Sequence, residues 1–177
     1  VVRSDEVFAS WDGVKVLTIS SRDEGDADDH LGQMIFHEMC HALIEGERGY
    51  SQVDWGLSNF DERDIDREYA CHRLQAALAD EYKLRAFLAV TTDWRPYYDG
   101  LPPSPLLEGS MIAQDPRGLL SGEDWLKRER AVISIARHGA QLSTQSPWRE
   151  ALHQALSTTA QLRALITPFC PSGSLWT

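Results

Sequence analysis

The sequence predicts an α+β fold, with a mainly helical body and a small N-terminal antiparallel sheet. β-prone runs lie in the first 20 residues, and apolar residues at helical spacing recur in several long segments after them. The chain has 177 residues, 42% of them hydrophobic, which suffices for one compact core but not for two. We therefore expect one domain that spans residues 1–177.

The N-terminal segment "EVFASWDGVKVLTIS", residues 6–20, contains two β-prone runs on either side of Asp12 and Gly13. Asp-Gly is a dipeptide that accepts the positive φ angles of a tight hairpin turn. The segment therefore predicts an antiparallel hairpin.

The acidic stretch "SRDEGDADD" then offers Asp26 or Asp28 as the cap of a helix, since carboxylates favour the positive end of the helix dipole. This helix is expected from about Asp28 to Glu45, with Gly46 as its stop signal. A second long helix is predicted over residues 61–90. Its apolar residues recur near a period of 3.6: Ile65, Tyr69, Leu74, Leu78, Tyr82 and Leu88.

Residues 93–122 hold five of the eight prolines, so we expect an irregular, functional loop there. Ser121 with Asp124 three residues later predicts the start of one C-terminal helix. Ser146 and Pro147 predict the cap and first turn of another. The last eleven residues, 167–177, are expected to form an irregular tail.

Composition and charge exclude several classes of protein. The formal net charge of −10 would repel nucleic acid rather than attract it. No segment has the roughly 18 apolar residues of a membrane span, and Asp5, Glu6 and Asp12 do not suit a signal peptide. Three cysteines fit reduced thiols better than a disulfide framework. We expect a cytoplasmic protein that binds neither nucleic acid nor membranes.

The segment "QMIFHEMCHALIEG", residues 33–46, carries an H-E-x-x-H motif on the first predicted helix. His37 and His41 are one helical turn apart, so both imidazoles project to one side and one divalent ion can bridge them. Glu38 lies beside such an ion, where its carboxylate can take a proton from bound water. The alternative is an amphipathic helix whose two histidines are merely hydrogen-bonded.

A third ligand has to come from another segment. Metzincins are excluded, because Ile44 and Glu47 stand where that class has glycine and histidine. On the second predicted helix, Asp64, Glu68 and His72 share one stripe. We prefer Glu68, since two histidines and a carboxylate form a recurrent site, with His72 or Asp64 outside the ligand shell. The alternative is that this stripe is only a solvated helix face.

Two further residues near the motif have an ordinary structural interpretation. His30 lies at the start of the first predicted helix among several acidic residues, and we expect it at the surface. Cys40 points away from the two histidines and is expected to be a small core residue rather than a ligand.

The run "HEMCHALIEGERGYSQVDWG", residues 37–56, resembles the bacterial elongation factor P hydroxylase family. The similar features are the H-E-x-x-H motif, Ile44, Gly46 and the "VDWG" run, all without a gap. A weaker likeness extends over the chain, including the C-terminal "SPWREALHQAL". The resemblance implies a metallopeptidase-like, gluzincin-like fold that performs oxidative rather than hydrolytic chemistry, with His37 and His41 as ligands.

The chain differs from the family where Ala42 replaces a tryptophan and "LSNF" replaces an aromatic-rich segment. Two functions therefore remain. An Fe(II) ion would support hydroxylation of a protein or small-molecule substrate, whereas a Zn(II) ion with Glu38 as base would support hydrolysis of an amide. Asp54 and Trp55 are expected near the mouth of the site, where Asp54 either binds substrate or caps a turn. The sequence leaves the oligomeric state open.

Overall fold

A computed structural model describes residues 1–21, 30–58, 61–90, 94–145 and 149–166. The described chain is mainly helical, as predicted, and its short strands lie at the N-terminus. The strands are β1 (Val2–Ser4), β2 (Ala9–Trp11) and β3 (Leu17–Ser20). The α-helices are α1 (Leu31–Glu45), α2 (Glu47–Tyr50), α3 (Glu62–Asp80), α4 (Arg95–Asp99), α5 (Gly122–Gln145) and α6 (Arg149–Ile166), and a 3₁₀ helix spans Val53–Gly56.

The sheet is mixed, so the prediction of a purely antiparallel sheet was wrong. Strands β2 and β3 form the expected antiparallel hairpin, in which Ser10 pairs with Thr18. Strand β1 adds to the other edge of β3 in parallel, with Arg3 opposite Ile19. Two strand spacings are about 9.6 Å, a distance that residues 5–8 span easily.

The predicted hairpin is confirmed, but its connection is wider than the tight turn expected at Asp12 and Gly13, since Trp11 pairs with Leu17 and residues 12–16 join the strands. Asp12 Oδ1 accepts hydrogen bonds from the backbone N–H groups of Val14, Lys15 and Val16 at 2.8, 2.8 and 3.0 Å. These backbone donors, Val16 foremost, stabilise the ionised form and lower the pKa of Asp12. Gly13 takes the positive φ of 76° that the turn requires.

Helix α1 ends at Glu45 as predicted, with Gly46 at φ 67°. Its first residue is Leu31, and His30 is the N-cap, since its ring accepts a hydrogen bond from the backbone N–H of Gln33. The predicted caps Asp26 and Asp28 lie outside the described residues. Most of the helix is buried, which fits a central position in the body.

The second long helix, α3, ends at Asp80, so its predicted continuation to residue 90 was wrong. Lys83 adopts a left-handed φ of 58°, and the N–H of Leu84 bonds to the Ala79 carbonyl at 2.9 Å, as in a Schellman-type helix end. Leu84 and Leu88 are nevertheless buried. The spacing of apolar residues in the sequence suggested a longer helix because the turns after α3 also place apolar side chains in the core.

Helices α1, α3 and α5 contact one another and form the centre of the body. Their buried side chains belong to one hydrophobic cluster that also includes residues of α6. Gly139 on α5 lies against α1: a Cβ atom there would come within 2.6 Å of Ile44 Cδ1 and 3.2 Å of Leu74 Cδ2. The absence of a side chain at this position therefore permits the close approach of the helices.

The proline-rich segment is irregular over most of residues 94–121, as predicted, but it includes the unpredicted helix α4. The segment is attached to the body at a buried ion pair between Arg73 on α3 and Glu129 on α5. The same guanidinium donates to the carbonyl oxygens of Pro105 and Glu108 at 2.5 and 2.8 Å. The backbone of the segment thus satisfies a charged group that would otherwise be costly to bury.

Helix α5 begins directly after Ser121, as predicted, and α6 occupies the second predicted C-terminal helix. Ser146, Pro147 and the predicted tail, residues 167–177, lie outside the described residues. In the described part of the chain, no helix is both long enough and apolar enough to span a membrane.

Candidate metal centre

Two helices bring the predicted ligands together. His37 and His41 lie one turn apart on α1, and their Nε2 atoms are 3.0 Å apart. Glu68 projects from α3 toward both: Oε1 lies 3.2 Å from His37 Nε2, and Oε2 lies 3.1 Å from His41 Nε2. The preferred set of His37, His41 and Glu68 therefore forms one compact cluster.

The spacing of these atoms suits the ligands of one ion. Two atoms that are each about 2.1 Å from a metal lie about 3.0 Å apart at a right angle and about 3.4 Å apart at a tetrahedral angle. The two imidazole Nε2 atoms, 3.0 Å apart, match the right-angle value, and each lies 3.1 to 3.2 Å from a different oxygen of Glu68. The donor set of two imidazoles and a carboxylate fits a divalent transition metal.

His72 joins this cluster and Asp64 does not. His72 Nε2 lies 3.0 Å from Glu68 Oε1, and the ring is completely buried. Its Nδ1 has no hydrogen-bond partner among the described residues, which is a costly state for a buried polar atom. Asp64 instead accepts a hydrogen bond from the backbone N–H of Ser58 at 2.6 Å.

Gln75, which the sequence analysis missed, orients His37. Its Nε2 donates to the Leu88 carbonyl at 2.6 Å, so its Oε1 faces His37 Nδ1 at 2.9 Å and accepts from it. With its proton on Nδ1, the neutral ring of His37 presents a lone pair on Nε2 toward the cluster. Its position in the sequence could have indicated this role, because Gln75 lies two helical turns after Glu68 on the same face of α3.

The charges of the cluster depend on one another. Burial lowers the pKa of His37, but the Glu68 carboxylate outweighs that effect and raises it to about 9. Burial raises the pKa of Glu68, but His41 and His37 outweigh it and hold the pKa well below its usual value. Burial dominates at His72 and lowers its pKa to about 4. The metal-free cluster thus combines a protonated His37 with an ionised Glu68 and a neutral His72.

Glu38 lies beside the cluster, where Trp55 holds it. Trp55 Nε1 donates to Glu38 Oε2 at 2.9 Å, and both side chains are almost entirely buried. Trp55 also stacks on Trp11 of β2, with ring centroids 4.8 Å apart and planes at 1°. The sheet, the 3₁₀ helix and α1 therefore meet at this carboxylate.

Asp54 fastens the 3₁₀ helix to the sheet. Its Oδ1 accepts hydrogen bonds from Ser10 Oγ at 2.7 Å and from the backbone N–H of Trp11 at 3.0 Å. Asp54 and Trp55 both have positive φ angles, 49° and 59°, which are unfavourable for residues with a side chain. Contacts to Glu38 and β2 offset this strain and fix both residues at the cavity wall.

A cavity of about 820 Å³ opens above the cluster. The predicted site residues line it: His37, Glu38, His41, Asp54, Trp55, Asp64, Glu68 and His72. Phe8 lies on the sheet side of the cavity, and Trp94 with Arg117 lies on the side of the proline-rich segment. The cavity has the size of a typical small-molecule site.

The interpretation of His30 as a surface residue was wrong. Besides capping α1, its Nε2 donates to the Phe87 carbonyl at 2.8 Å, and its ring stacks on Phe87 with centroids 4.5 Å apart. This histidine joins the start of α1 to the turns after α3. The local acidic sequence gave no sign of that distant contact.

Cys40 is fully buried in the core, as predicted. A second cysteine, Cys71, lies near the ligands: its Sγ is 3.7 Å from His37 Nδ1, and it forms a candidate cluster with His37 and His41. Burial and the neighbouring Cys40 raise the pKa of Cys71 well above its usual value. Because Cys71 faces Nδ1 of His37, whereas His41 and Glu68 face Nε2 of the same ring, we assign Cys71 to the packing behind His37.

Comparisons of the chain with protein-family models, with curated proteins and with solved structures found no match.

Proposed function

We propose that this protein is a metal-dependent enzyme in which His37, His41 and Glu68 bind one divalent ion. The observation that carries this proposal is the convergence of three side chains at the wall of the cavity: the two imidazole Nε2 atoms are 3.0 Å apart, and each lies 3.1 to 3.2 Å from a different oxygen of Glu68. His72 provides further support, since one ligand atom each of His37, Glu68 and His72 lie within 4.8 Å of one another, as the ligands of one ion would.

The function that we favour is hydroxylation with Fe(II). An iron ion held by two histidines and one carboxylate on one face keeps positions open for dioxygen and substrate. The 3.0 Å separation of the two imidazole nitrogens, near the right-angle value, agrees with such a face. The resemblance of residues 37–56 to the elongation factor P hydroxylase family supports the same chemistry, and the substrate is a protein or a small molecule.

The protein's own residues would have distinct tasks. Gln75 holds the tautomer of His37 that binds metal, and His72 contacts Glu68 from behind. Trp55 fixes Glu38 Oε2, so that this carboxylate is held at the cavity wall and can accept or return a proton during turnover.

Hydrolysis with Zn(II) is the second candidate, and the position of Glu38 favours it. This carboxylate lies next to the first ligand, lines the cavity and acts electrostatically on His37. A zinc ion held by His37, His41 and Glu68 would supply an activated water, and Glu38 would accept its proton in a metallopeptidase-like or amidohydrolase reaction.

Metal analysis tests the metal site that both candidate functions require. Protein purified without added metal is analysed for bound metal alongside the variants His37→Ala, His41→Ala and Glu68→Gln. Each of these variants should lose most of the metal, because one of three protein ligands is removed or neutralised. His138→Ala, at an exposed position on α5, is the matched control and should retain it. Undiminished metal in the ligand variants would refute the site.

Dioxygen chemistry separates the two candidates. The ferrous protein is exposed to nitric oxide, which occupies open iron positions and gives a characteristic paramagnetic resonance signal. We expect that signal in the native protein and its loss in Glu68→Gln. Stoichiometric zinc in the purified protein, with amide hydrolysis that Glu38→Gln abolishes and no dioxygen consumption, would establish the hydrolase instead.

A further inference from the structure

Arg117 is the only arginine or lysine among the described residues that line the cavity. The protein as a whole carries a net charge of −10, and four carboxylates, those of Glu38, Asp54, Asp64 and Glu68, line the same cavity. Arg117 is therefore a single positive charge in an otherwise acidic cavity.

The backbone of Arg117 is fixed to the body. Its N–H donates to Asp115 Oδ1 at 3.0 Å, and that carboxylate is completely buried. Tyr69 of α3 donates its hydroxyl to the same oxygen. The turn is closed by a hydrogen bond from the N–H of Gly118 to the Asp115 carbonyl at 2.8 Å. Arg117 is therefore presented by a well-anchored turn.

The side chain of Arg117 lies beside Trp94, at the wall of the cavity that also holds the metal cluster. Its guanidinium carbon lies 5.9 Å from the centre of the Trp94 ring, a cation–π distance. Trp94 also contacts His72, whose ring centroid is 5.2 Å away. The indole ring therefore contacts both the guanidinium and a residue of the cluster.

The charge of this guanidinium is available to a ligand. The cavity carboxylates have protein donors: Trp55 for Glu38, Ser10 and Trp11 for Asp54, Ser58 for Asp64, and the histidines for Glu68. Within the described part of the chain, the Arg117 guanidinium makes neither a hydrogen bond nor an ion pair, and the residue is exposed. A planar guanidinium in this state binds carboxylate or phosphate through two parallel hydrogen bonds.

We propose that the substrate carries an anionic group, a carboxylate or a phosphate, which Arg117 binds while another part of the molecule faces the metal. This inference rests on the proposed metal centre and specifies the substrate class of the same cavity. Trp94 provides the platform that holds the guanidinium in place and an apolar surface for the part of the substrate between the two polar ends.

Hydroxamates provide the test, because the hydroxamate group binds the metal while its tail extends into the cavity. Metal-loaded protein is titrated with monohydroxamates of dicarboxylic acids of increasing length, and with the methyl esters of the same compounds. We expect the native protein to bind the free acid at least tenfold more tightly than its ester at one or more tail lengths. A phosphonate-tailed series distinguishes phosphate from carboxylate as the preferred anion.

The variant Arg117→Gln should bind acid and ester equally and keep the native affinity for the ester. Arg130→Gln removes an exposed arginine of α5 and gives the same change of net charge, so it should keep the native preference. A preference for the acid that survives in Arg117→Gln, or no preference in the native protein, overturns the inference. Failure of the neutral esters and of acetohydroxamate to bind metal-loaded protein would instead overturn the proposed open metal centre, and with it the inference.

Discussion

The tautomer of His37 depends on Gln75, whose two amide atoms have different partners. Because Nε2 is committed to the Leu88 carbonyl, Oε1 has to accept from His37 Nδ1. Partners of this kind orient a ligand and raise its basicity. Through Gln75, the position of the turns after α3 therefore determines which ring nitrogen of His37 carries the proton.

Replacing Gln75 with leucine should lower metal affinity about 10- to 100-fold, the usual effect of losing such a partner. The leucine variant keeps the volume of the side chain but cannot accept the Nδ1 proton. Competition with a chromophoric chelator measures the affinity. Gln33→Leu is the control, since Gln33 is also buried and lines the cavity, and it should keep the native affinity. An unchanged affinity in Gln75→Leu would show that packing alone orients His37.

Metal affinity should rise with pH because a proton competes for His37. The Glu68 carboxylate, working against burial, raises the pKa of His37 to about 9 in the metal-free protein. Below this pH the ring has to lose a proton when metal binds, so the affinity should increase about tenfold per pH unit and level off above pH 9. Calorimetric titration in buffers of different ionisation enthalpy counts the released protons.

The variant Glu68→Gln provides the contrast for this titration, since it removes the charge that raises the pKa of His37. Its residual metal binding should release less than one proton at neutral pH. Native binding that releases no proton between pH 6.5 and 8 would contradict the protonated state of His37.

The 3₁₀ helix connects the sheet to the motif helix through Asp54 and Trp55. Sequence reasoning left Asp54 with two roles, in substrate binding or in capping a turn, and the structure gives its Oδ1 to Ser10 and Trp11. Its side chain therefore supports the conformation of the element. The neighbouring Trp55, with its hydrogen bond to Glu38, transmits that conformation to the cavity.

The variant Asp54→Ala should lower the free energy of unfolding by about 1–3 kcal/mol, because two donors lose their acceptor and alanine tolerates a positive φ poorly. Asp54→Asn retains an acceptor and tolerates this backbone conformation, so its effect should be smaller. Urea denaturation measures both. Asp99→Ala, on the exposed face of α4, is the control. An equal loss in the alanine and asparagine variants would assign the effect to charge rather than to the hydrogen bonds.

The close packing of α1 and α5 depends on Gly139. Gly139→Ala should destabilise the protein by about 1–3 kcal/mol, the usual cost of overpacking, since the new Cβ would meet Ile44 and Leu74. Gly32→Ala, at an exposed position of α1, should instead stabilise by up to about 1 kcal/mol through helix propensity. Thermal denaturation compares the two. A stabilising effect of Gly139→Ala would mean that the helices are not closely packed there.

Metal should stabilise the whole molecule, since its ligands come from both α1 and α3. An ion at 100 times its dissociation constant adds about 2.7 kcal/mol to the free energy of unfolding. For a chain of this size, that raises the melting temperature by roughly 5–10 °C. Scanning calorimetry with metal and with a chelator measures the shift. Glu68→Gln should show little of it, and an equal shift in that variant would place the ion elsewhere.

The sequence by itself determined the features that depend on local spacing. His37 and His41 share a helix face because four residues make one turn, and the turn at Asp12 and Gly13 follows from the chemistry of those two residues. The ends of α1 and the start of α5 were predictable to within a few residues for the same reason. Glu68 was the preferred third ligand because a carboxylate suits the metal, and the structure places it against both histidines.

Only the tertiary structure decided the features that join distant segments. The relative rotation of α1 and α3 brought Glu68 and His72 into the cluster and left Asp64 outside it, although all three lie on one stripe of α3. The local sequence pattern also could not predict four other contacts: the pairing of β1 with β3, the bond of His30 to Phe87, the bond of Gln75 to His37 and the contact of Arg117 with Trp94. The physical reason is that helical and strand periods fix the direction of a side chain within its own element, whereas its partner depends on how the elements pack.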